Sequence, residues 1–171
     1  MAEGPPDDLL AGLLASNEDY AASYPGGKPA RPGRGLAVVA CMDARLDVYS
    51  ALGLEPGDAH VIRNAGGIVT DDVIRSLCLS QRLLGTEAIV LVHHTDCGLE
   101  GVSDDEFDRA LAQETGISPR WRAGGFDDVE ASVHRSMERL ADTPFLPNRE
   151  HMAGFVFHTD SGRLRRVHTP P

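Results

Sequence analysis

Three segments rich in apolar residues mark the predicted strands of this chain, and the first and third contain unbroken apolar runs. The three segments are LAVVAC at 36–41, AHVIR at 59–63 and AIVLVHH at 88–94. Unbroken runs, as opposed to alternating ones, are typical of parallel strands that are covered on both faces. The pattern therefore predicts a sheet in which these strands lie in the interior of the protein.

Amphipathic segments with helix-start and helix-end residues follow the second and third apolar segments. Residues 70–84 fit a helix because a Thr begins it, acidic residues fill its first turn and a Gly follows it. Residues 103–116 and 127–142 fit two more helices. Residues 153–167 fit two strands around the turn DSG, which predicts an antiparallel strand at the sheet edge. The alternation predicts an α/β fold, with a mostly parallel central sheet and helices on both faces.

The N-terminal segment has a different pattern. Residues 7–20 fit a short helix with a narrow apolar stripe, formed by Leu9, Leu10, Leu13 and Leu14. The Pro/Gly-rich peptide YPGGKPARPGRG follows, and it cannot hold regular structure for long. We therefore interpret residues 1–171 as one domain with three parts: a helical arm at 1–24, a connector at 25–35 and an α/β core at 36–171.

Composition narrows the class of function. The chain has 171 residues and a net charge of -10, which argues against nucleic acid or an anionic membrane as a partner. Three Cys are too few for a disulfide framework and fit a reducing compartment. The N-terminus has neither a basic segment nor a long apolar run, so we expect no signal peptide and no membrane span. We expect a cytoplasmic protein.

Chemically reactive side chains stand at the ends of two predicted strands. The peptide CMDAR ends the first strand, and HHTDCG ends the third. Because the carboxyl ends of parallel strands meet at one edge of a sheet, the two groups can come together. Cys41, His94 and Cys97 offer thiolate and imidazole ligands, the set that zinc prefers. Neighbouring strand residues point to opposite faces, so we expect at most one of His93 and His94 to bind.

Ordinary structural roles remain open for these residues. A single Cys is often a small core residue, and we assign that role to Cys78 in the middle of a predicted helix. Asp43 and Arg45 taken alone fit an exposed ion pair that contributes little. For His93 and Asp96 we expect packing in a second layer or at an interface. Two Cys and a His at two strand ends nevertheless favour a metal site.

Three short motifs in register resemble those of the β-class carbonic anhydrases. They are C-x-D-x-R in CMDAR, RNAGG after the second strand, and H-x-x-C-G in HTDCG. The resemblance implies one catalytic Zn²⁺ per chain, bound by Cys41, His94 and Cys97. It also implies that Asp43 and Arg45 form a catalytic dyad, in which the Arg holds the Asp away from the zinc.

The resemblance further implies an activity. It is the zinc-dependent, reversible hydration of carbon dioxide to bicarbonate and a proton, by attack of zinc-bound hydroxide. Many members of the family line the CO2 pocket with a Gln shortly before the first Cys, and residues 27–35 contain none. The backbone of the loop after the second strand is then the expected substrate-binding element. Its residues are Asn64, Ala65, Gly66 and Gly67.

Two alternatives to this activity remain. A carbonyl sulfide or carbon disulfide hydrolase on the same scaffold would have the same zinc motif. A less favoured one is a structural zinc domain that binds a protein, which would need Cys78 as a fourth ligand.

The resemblance also implies assembly, because the basic unit of the family is a dimer. We expect a homodimer or a dimer of dimers, in which the helix of the arm docks on the partner subunit. The alternative is that this helix folds back on its own core.

Overall fold

The structure is a computed structural model that describes residues 5–168. It contains one sheet of five strands: β1 (Leu36–Cys41), β2 (Ala59–Asn64), β3 (Ala88–His94), β4 (Met152–Phe157) and β5 (Leu164–Val167). Their order across the sheet is β2-β1-β3-β4-β5. The first four strands run parallel, and β5 pairs antiparallel with β4. The mostly parallel sheet and its antiparallel edge strand are therefore confirmed.

In the described residues, five α-helices and a short 3-10 helix (Ala65–Gly67) accompany the sheet. The α-helices are α1 (Asp7–Ala22), α2 (Val48–Leu52), α3 (Asp71–Leu84), α4 (Asp104–Thr115) and α5 (Val129–Ala141). The predicted caps form, because the hydroxyl of Thr70 accepts from the N–H of Val73 and that of Ser103 from the N–H of Glu106. The short helix α2 was not predicted. Its five residues are too few to show a helical period.

Helices cover both faces of the sheet. On one face, Leu77 of α3 and Leu140 of α5 pack in one apolar cluster with Leu91 of β3. On the other face, Val48 of α2 belongs to the cluster that contains Val92 of β3. Burial on both faces is the reason that β1 and β3 have unbroken apolar runs. The second face is also the one that carries the candidate site.

Unlike these helices, α1 buries none of its residues against the sheet. The four Leu of its apolar stripe are between 41% and 66% exposed. The alternative that the arm folds back on its own core is therefore wrong for the residues described. Residues 1–4 of the arm and 169–171 of the core lie outside the described residues. Among the helices of residues 5–168, none combines the length and the hydropathy that crossing a bilayer requires.

Candidate metal centre

Cys41, His94 and Cys97 come together where β1 and β3 end. The two strands are adjacent and parallel, with Ala40 opposite Val92, so their carboxyl ends lie at the same edge. All three side chains are buried, and their ligand atoms lie within 4.8 Å of one another. Zinc with bonds of about 2.0–2.3 Å would separate tetrahedral ligand atoms by roughly 3.3–3.8 Å. Small side-chain movements would therefore close the group around one ion.

The ring of His94 is held in the tautomer that a metal ligand needs. Nδ1 lies 2.9 Å from the carbonyl oxygen of Thr95, so Nδ1 carries the proton and donates it. Nε2 then carries the lone pair. This atom is buried and has no hydrogen-bond partner among the described residues. A buried acceptor without a partner costs about 1–3 kcal/mol, and a metal ion would satisfy it. The residues present therefore fit a bound metal.

The two thiols of the group differ in acidity. Burial raises the pKa of Cys41, but contact with His94 and the backbone N–H groups of Asp43 and Gly66 together lower it to about 7. Burial raises the pKa of Cys97 to about 11, and the nearby Cys41 adds to that effect. One thiolate therefore forms readily, whereas the second needs a positive charge beside it, which a divalent cation supplies.

Arg45 joins two carboxylates beside the metal-ligand group. Its Nε and Nη2 donate to the two carboxylate oxygens of Asp43 at 2.9 and 2.8 Å. Its Nη1 donates to the carboxylate of Asp96 at 2.5 Å, and Nη2 also donates to the main-chain oxygen of Asp96 at 2.8 Å. The hydrogen bonds from Arg45 hold the pKa of Asp43 well below its usual range, so this carboxylate is ionised at neutral pH. Its Oδ2 lies 3.8 Å from Nε2 of His94.

Asp96 has a more specific position than the packing role expected from the sequence. It is the one residue other than glycine with a positive φ, 57°, in the described part of the chain. Asp is among the few residues that tolerate this conformation. Both the carboxylate and the carbonyl of Asp96 accept from Arg45. The two residues are 51 positions apart, so no local pattern in the sequence pointed to this contact.

His93 lies on the other face of the sheet from His94, as the alternation along a strand predicts. Its side chain is 1% exposed. Burial lowers its pKa to about 4, and the positive charge of Arg135 on α5 acts in the same direction. His93 therefore belongs to the side of the sheet on which α5 packs, and the metal-ligand group contains His94 alone.

The loop after β2 lies directly against the end of β1. The side-chain amide of Asn64 donates to the carbonyl of Ile68 at 2.8 Å and closes the loop. Gly66 and Gly67 have φ values of 75° and 66°. A Cβ added at Gly67 would lie 2.7 Å from the backbone nitrogen of Cys41, so only glycine permits this approach. The two glycines therefore bring the loop backbone beside a metal-ligand residue.

Arg63 braces the same edge of the sheet. Its Nε donates to the carbonyl of Cys41 at 3.0 Å, and its Nη2 donates to the carbonyl of Asp43 at 2.7 Å. The side chain thus fixes the backbone that carries Cys41 and Asp43. The sequence motif RNAGG contained Arg63, but a contact with main-chain oxygens leaves no trace in a sequence pattern.

A cavity of about 390 Å³ opens beside the loop after β2. Its lining is mostly apolar and includes Ala65, Ile68, Leu99, Phe107 and Trp121. The aromatic rings of Phe107 and Trp121 lie near each other, with centroids 6.4 Å apart. Such a surface suits a neutral, apolar molecule better than a charged one.

Cys78 is not part of the metal-ligand group. It is half-buried beside the apolar cluster between α3, α5 and the sheet, with Sγ 3.7 Å from the carbonyl oxygen of Phe145. Within residues 5–168, the one group of three or more potential metal ligands is Cys41, His94 and Cys97. The fourth thiolate that a closed structural zinc site would need is therefore missing from this group.

Comparison with known proteins agrees with this geometry. Residues 36–121 match a family model described as carbonic anhydrase. The chain is also 52% identical over 154 residues to β-carbonic anhydrase 1 of Mycobacterium tuberculosis, an alignment that covers 90% of this chain and 94% of that protein. The chain belongs to the β-carbonic anhydrase family. It is an enzyme of that family, whose members use zinc.

Two further relatives show how broad the match is. The structure of this β-carbonic anhydrase resembles that of a carbonic anhydrase from Streptococcus mutans with a TM-score of 0.87 at 38% identity, covering 98% of this chain and 100% of that one. A carbon disulfide hydrolase of Acidithiobacillus thiooxidans is 35% identical over 156 residues, which cover 79% of this chain and 78% of that protein. Similarity alone therefore does not decide between carbon dioxide and carbon disulfide as the substrate.

Proposed function

We propose that this β-carbonic anhydrase reversibly hydrates carbon dioxide to bicarbonate and a proton, with one Zn²⁺ per chain bound by Cys41, His94 and Cys97. The observation that carries the proposal is the buried Nε2 of His94, which has no partner in the described chain and faces two thiols. Three protein ligands leave a fourth position for a small molecule, as catalytic zinc sites require. Zinc bound there would supply the Lewis acidity that lowers the pKa of a coordinated water far below that of free water.

Asp43 and Arg45 act as the dyad of this proposal. Asp43 is ionised, and its Oδ2 lies close enough to the ligand atoms to accept a hydrogen bond from the reacting water and orient it. Both oxygens of Asp43 receive hydrogen bonds from Arg45. This paired arrangement holds the carboxylate at the margin of the ligand group, where it does not take the position meant for water.

We assign Asp96 the role of a positioning residue for the dyad. The side chain of Arg45 is 49% exposed and would otherwise sample several rotamers. Asp96 fixes the guanidinium at Nη1 and Nη2, the side opposite Nε. The side chain of Asp96 is itself 77% exposed, so its contribution to stability is small. Its main effect is to fix the orientation in which Arg45 presents Nε and Nη2 to Asp43.

The substrate binds, in this proposal, along the loop of Asn64, Ala65, Gly66 and Gly67. The glycines bring the loop backbone close to Cys41, so a molecule held at the metal would lie beside this loop. The adjacent apolar cavity can admit a linear, uncharged molecule without a cost for desolvating polar groups. Carbon dioxide has both properties.

A second candidate is the hydrolysis of carbonyl sulfide or carbon disulfide. The observation that favours it is the same apolar cavity, because both molecules are linear, neutral and more apolar than carbon dioxide. The identity of 35% with a carbon disulfide hydrolase supports it as well. The higher identity of 52% with β-carbonic anhydrase 1 places it second.

One set of assays on one zinc-quantified preparation separates these candidates. Stopped-flow measurement with a pH indicator gives the rate of CO2 hydration, and sulfide detection gives the hydrolysis of carbonyl sulfide and carbon disulfide. We expect kcat/KM for hydration to exceed that for sulfide release by at least about 100-fold. The reverse ratio would favour the second candidate, and a fully zinc-loaded protein without either activity would contradict both.

We also propose a homodimer, or a dimer of such dimers, in which α1 docks on the partner subunit. The Leu stripe of α1, in which no residue is buried, supports this, as does the marginal stability of an isolated helix of 16 residues. The division into arm, connector and core that we derived from the sequence remains part of this proposal. We propose a cytoplasmic location, because both thiol ligands must stay reduced.

A further inference from the structure

Four polar residues share one face of α5. They recur at intervals of three and four positions, which places them in one row along a helix: Ser132, Arg135, Ser136 and Arg139. All four line one cavity of about 280 Å³, which we call the α5 cavity. Its other walls come from residues 68–69, which follow the loop after β2, and from the segment before α5.

The two serine residues of the α5 cavity are largely buried, and their hydroxyls form no hydrogen bond with another described residue. Ser132 is 2% exposed and Ser136 is 5% exposed. A serine within a helix often donates to the carbonyl one turn earlier. Neither hydroxyl does so, and neither has another hydrogen-bond partner among residues 5–168. Neither hydroxyl oxygen is among the side-chain atoms that are fully buried without a partner, so both are open to the cavity and can donate to a polar occupant there.

Arg135 adds a positive charge that no carboxylate of the described residues offsets. No Asp or Glu oxygen in that part of the chain lies within 4.0 Å of its guanidinium nitrogens. Arg139 differs, because its Nη2 lies 2.6 Å from the carboxylate of Asp71. Arg135 is itself exposed, so its charge is accessible to an ion that enters the cavity from solvent.

One carboxylate, that of Asp104, also lines the α5 cavity, and both of its oxygens already have partners in the protein. Its Oδ1 accepts from the backbone N–H groups of Gly124 and Gly125 at 2.8 and 3.0 Å. Its Oδ2 lies 3.4 Å from Nε of Arg122. These hydrogen bonds keep the pKa of Asp104 below its ordinary value. Arg122 also pairs with Asp105 and Asp108, so Asp104 keeps part of its negative charge. The cation of the lining that has no carboxylate partner among the described residues is Arg135.

We propose that the α5 cavity binds a small oxyanion, such as bicarbonate or hydrogen phosphate. The guanidinium of Arg135 would donate to its charged oxygens, and the hydroxyls of Ser132 and Ser136 would donate to the others. The volume of about 280 Å³ is below the roughly 300–1,000 Å³ of sites for drug-sized ligands, which fits an ion of four or five heavy atoms with some water.

This oxyanion site lies on a different face of the sheet from the metal centre. Leu91 of β3 packs with residues of α5, whereas Val92 packs in the cluster that contains Cys41 and Cys97. Because strand residues alternate between faces, His94 points to the side of Val92 and away from α5. Binding in the α5 cavity therefore does not require binding at the metal, and the two can be measured separately.

Nuclear magnetic resonance titration of the zinc-loaded, full-length protein tests the proposal. Sodium phosphate and sodium bicarbonate are titrated separately, at constant ionic strength, with sodium chloride as the reference. We expect saturable shifts of the amide signals of α5 and of Gly124 and Gly125 with at least one of the two oxyanions. Saturation by bicarbonate alone would indicate the product of the proposed reaction, and saturation by phosphate would indicate a site for free or bound phosphate groups.

Variants make the titration decisive. Arg135→Gln removes the unpaired charge, and we expect it to raise the Kd at least tenfold, whereas Ser132→Ala should raise it severalfold. Arg149→Gln, the matched control, makes the same change of charge at an exposed residue outside the cavity and should leave the Kd unchanged. The proposal is overturned if neither oxyanion gives saturable shifts at concentrations up to about 50 mM, which is high enough to detect a weak ion site. Equal Kd values for Arg135→Gln and Arg149→Gln would overturn it as well.

Discussion

The metal centre and the N-terminal arm differ in whether a single chain buries their side chains. At the metal centre the three ligand residues are buried, and one ion would complete them. In α1 the helix is fully formed, yet none of its residues is buried and its four Leu face outward. The centre is thus complete within one chain apart from its metal, whereas the arm needs a second surface. Function at the centre and assembly through the arm should therefore respond to different mutations.

The largest effect should follow from removing a ligand of the metal centre. Cys97→Ala leaves two ligands and an unpaired imidazole, so we expect zinc to fall from about one per chain to below about 0.1. Hydration of carbon dioxide should fall by at least about 1,000-fold, because the water loses its activating metal. Metal analysis and stopped-flow assay measure both. Cys78→Ala is the matched control and should keep its zinc, and a full zinc content in Cys97→Ala would refute the ligand assignment.

The next largest effect should come from the dyad without loss of metal. We expect Arg45→Ala to retain zinc but to lower kcat/KM about 10- to 100-fold. Losses of this size are usual when a residue that orients groups around a metal is removed. Without Arg45 the pKa of Asp43 would rise toward about 3.9, so the carboxylate stays ionised at pH 8 and the loss cannot be due to its protonation. What changes is its position. Arg45→Lys should not restore the rate, because Lys cannot donate to both oxygens in parallel.

A steady pH profile is the control for this interpretation. Because Asp43 would be ionised throughout pH 7 to 9, the ratio of variant to wild-type activity should stay constant over this range. Full recovery of that ratio by pH 9 would mean that titration of another group, and not the position of Asp43, limits the variant. If the variant had wild-type rates at every pH, Asp43 and Arg45 would be an ordinary ion pair without a role in catalysis.

The sequence predicted the parts of the molecule that depend on local patterns. The apolar segments predicted β1, β2 and β3, and the caps Thr70 and Ser103 fixed the starts of two helices. The group of Cys41, His94 and Cys97 was predictable for a related reason. Parallel strands place their carboxyl ends at one edge, so residues that end two strands meet without any further information.

The contacts that the sequence did not reveal depend on three-dimensional details. Asp96 meets Arg45 across 51 positions, through a backbone conformation that no periodicity encodes. Arg63 donates to main-chain oxygens, which every residue has. The surface that covers α1 lies outside the single described chain, so neither its sequence pattern nor its structure identifies that surface. Assembly is therefore the feature that most needs an experiment.

A smaller but measurable effect should appear in assembly when the arm is changed. Leu13 and Leu14 are the most exposed of the stripe, at 60% and 66%. Burying one Leu contributes about 1.5–3 kcal/mol, so replacing both with Ser should raise the dimer Kd by at least about tenfold. Analytical ultracentrifugation measures the Kd, and zinc content should not change. Ser16→Ala on the same helix is the control. A monomeric wild type, or an unchanged Kd in the double variant, contradicts the proposed role of the arm.

The smallest effect should come from Asp96, which links the dyad to the turn between two metal ligands. We expect Asp96→Asn to lower kcat/KM about three- to tenfold with full zinc content, less than loss of Arg45 itself. Asn tolerates the positive φ, so the backbone and its carbonyl contact with Arg45 remain and only the charge is lost.

A double-mutant cycle separates positioning from a general structural role of Asp96. If Asp96 acts only through Arg45, then Asp96→Asn should have no further effect on kcat/KM in the Arg45→Ala background. A residue that merely stabilises the turn would lower the rate by the same factor in both backgrounds, and it would also lower zinc content or thermal stability. Asp96→Gly extends the comparison, because it relieves the backbone at φ 57° and removes the carboxylate. A rate loss as large as that of Asp96→Asn, together with unchanged or higher stability, assigns the effect to the lost contact with Arg45.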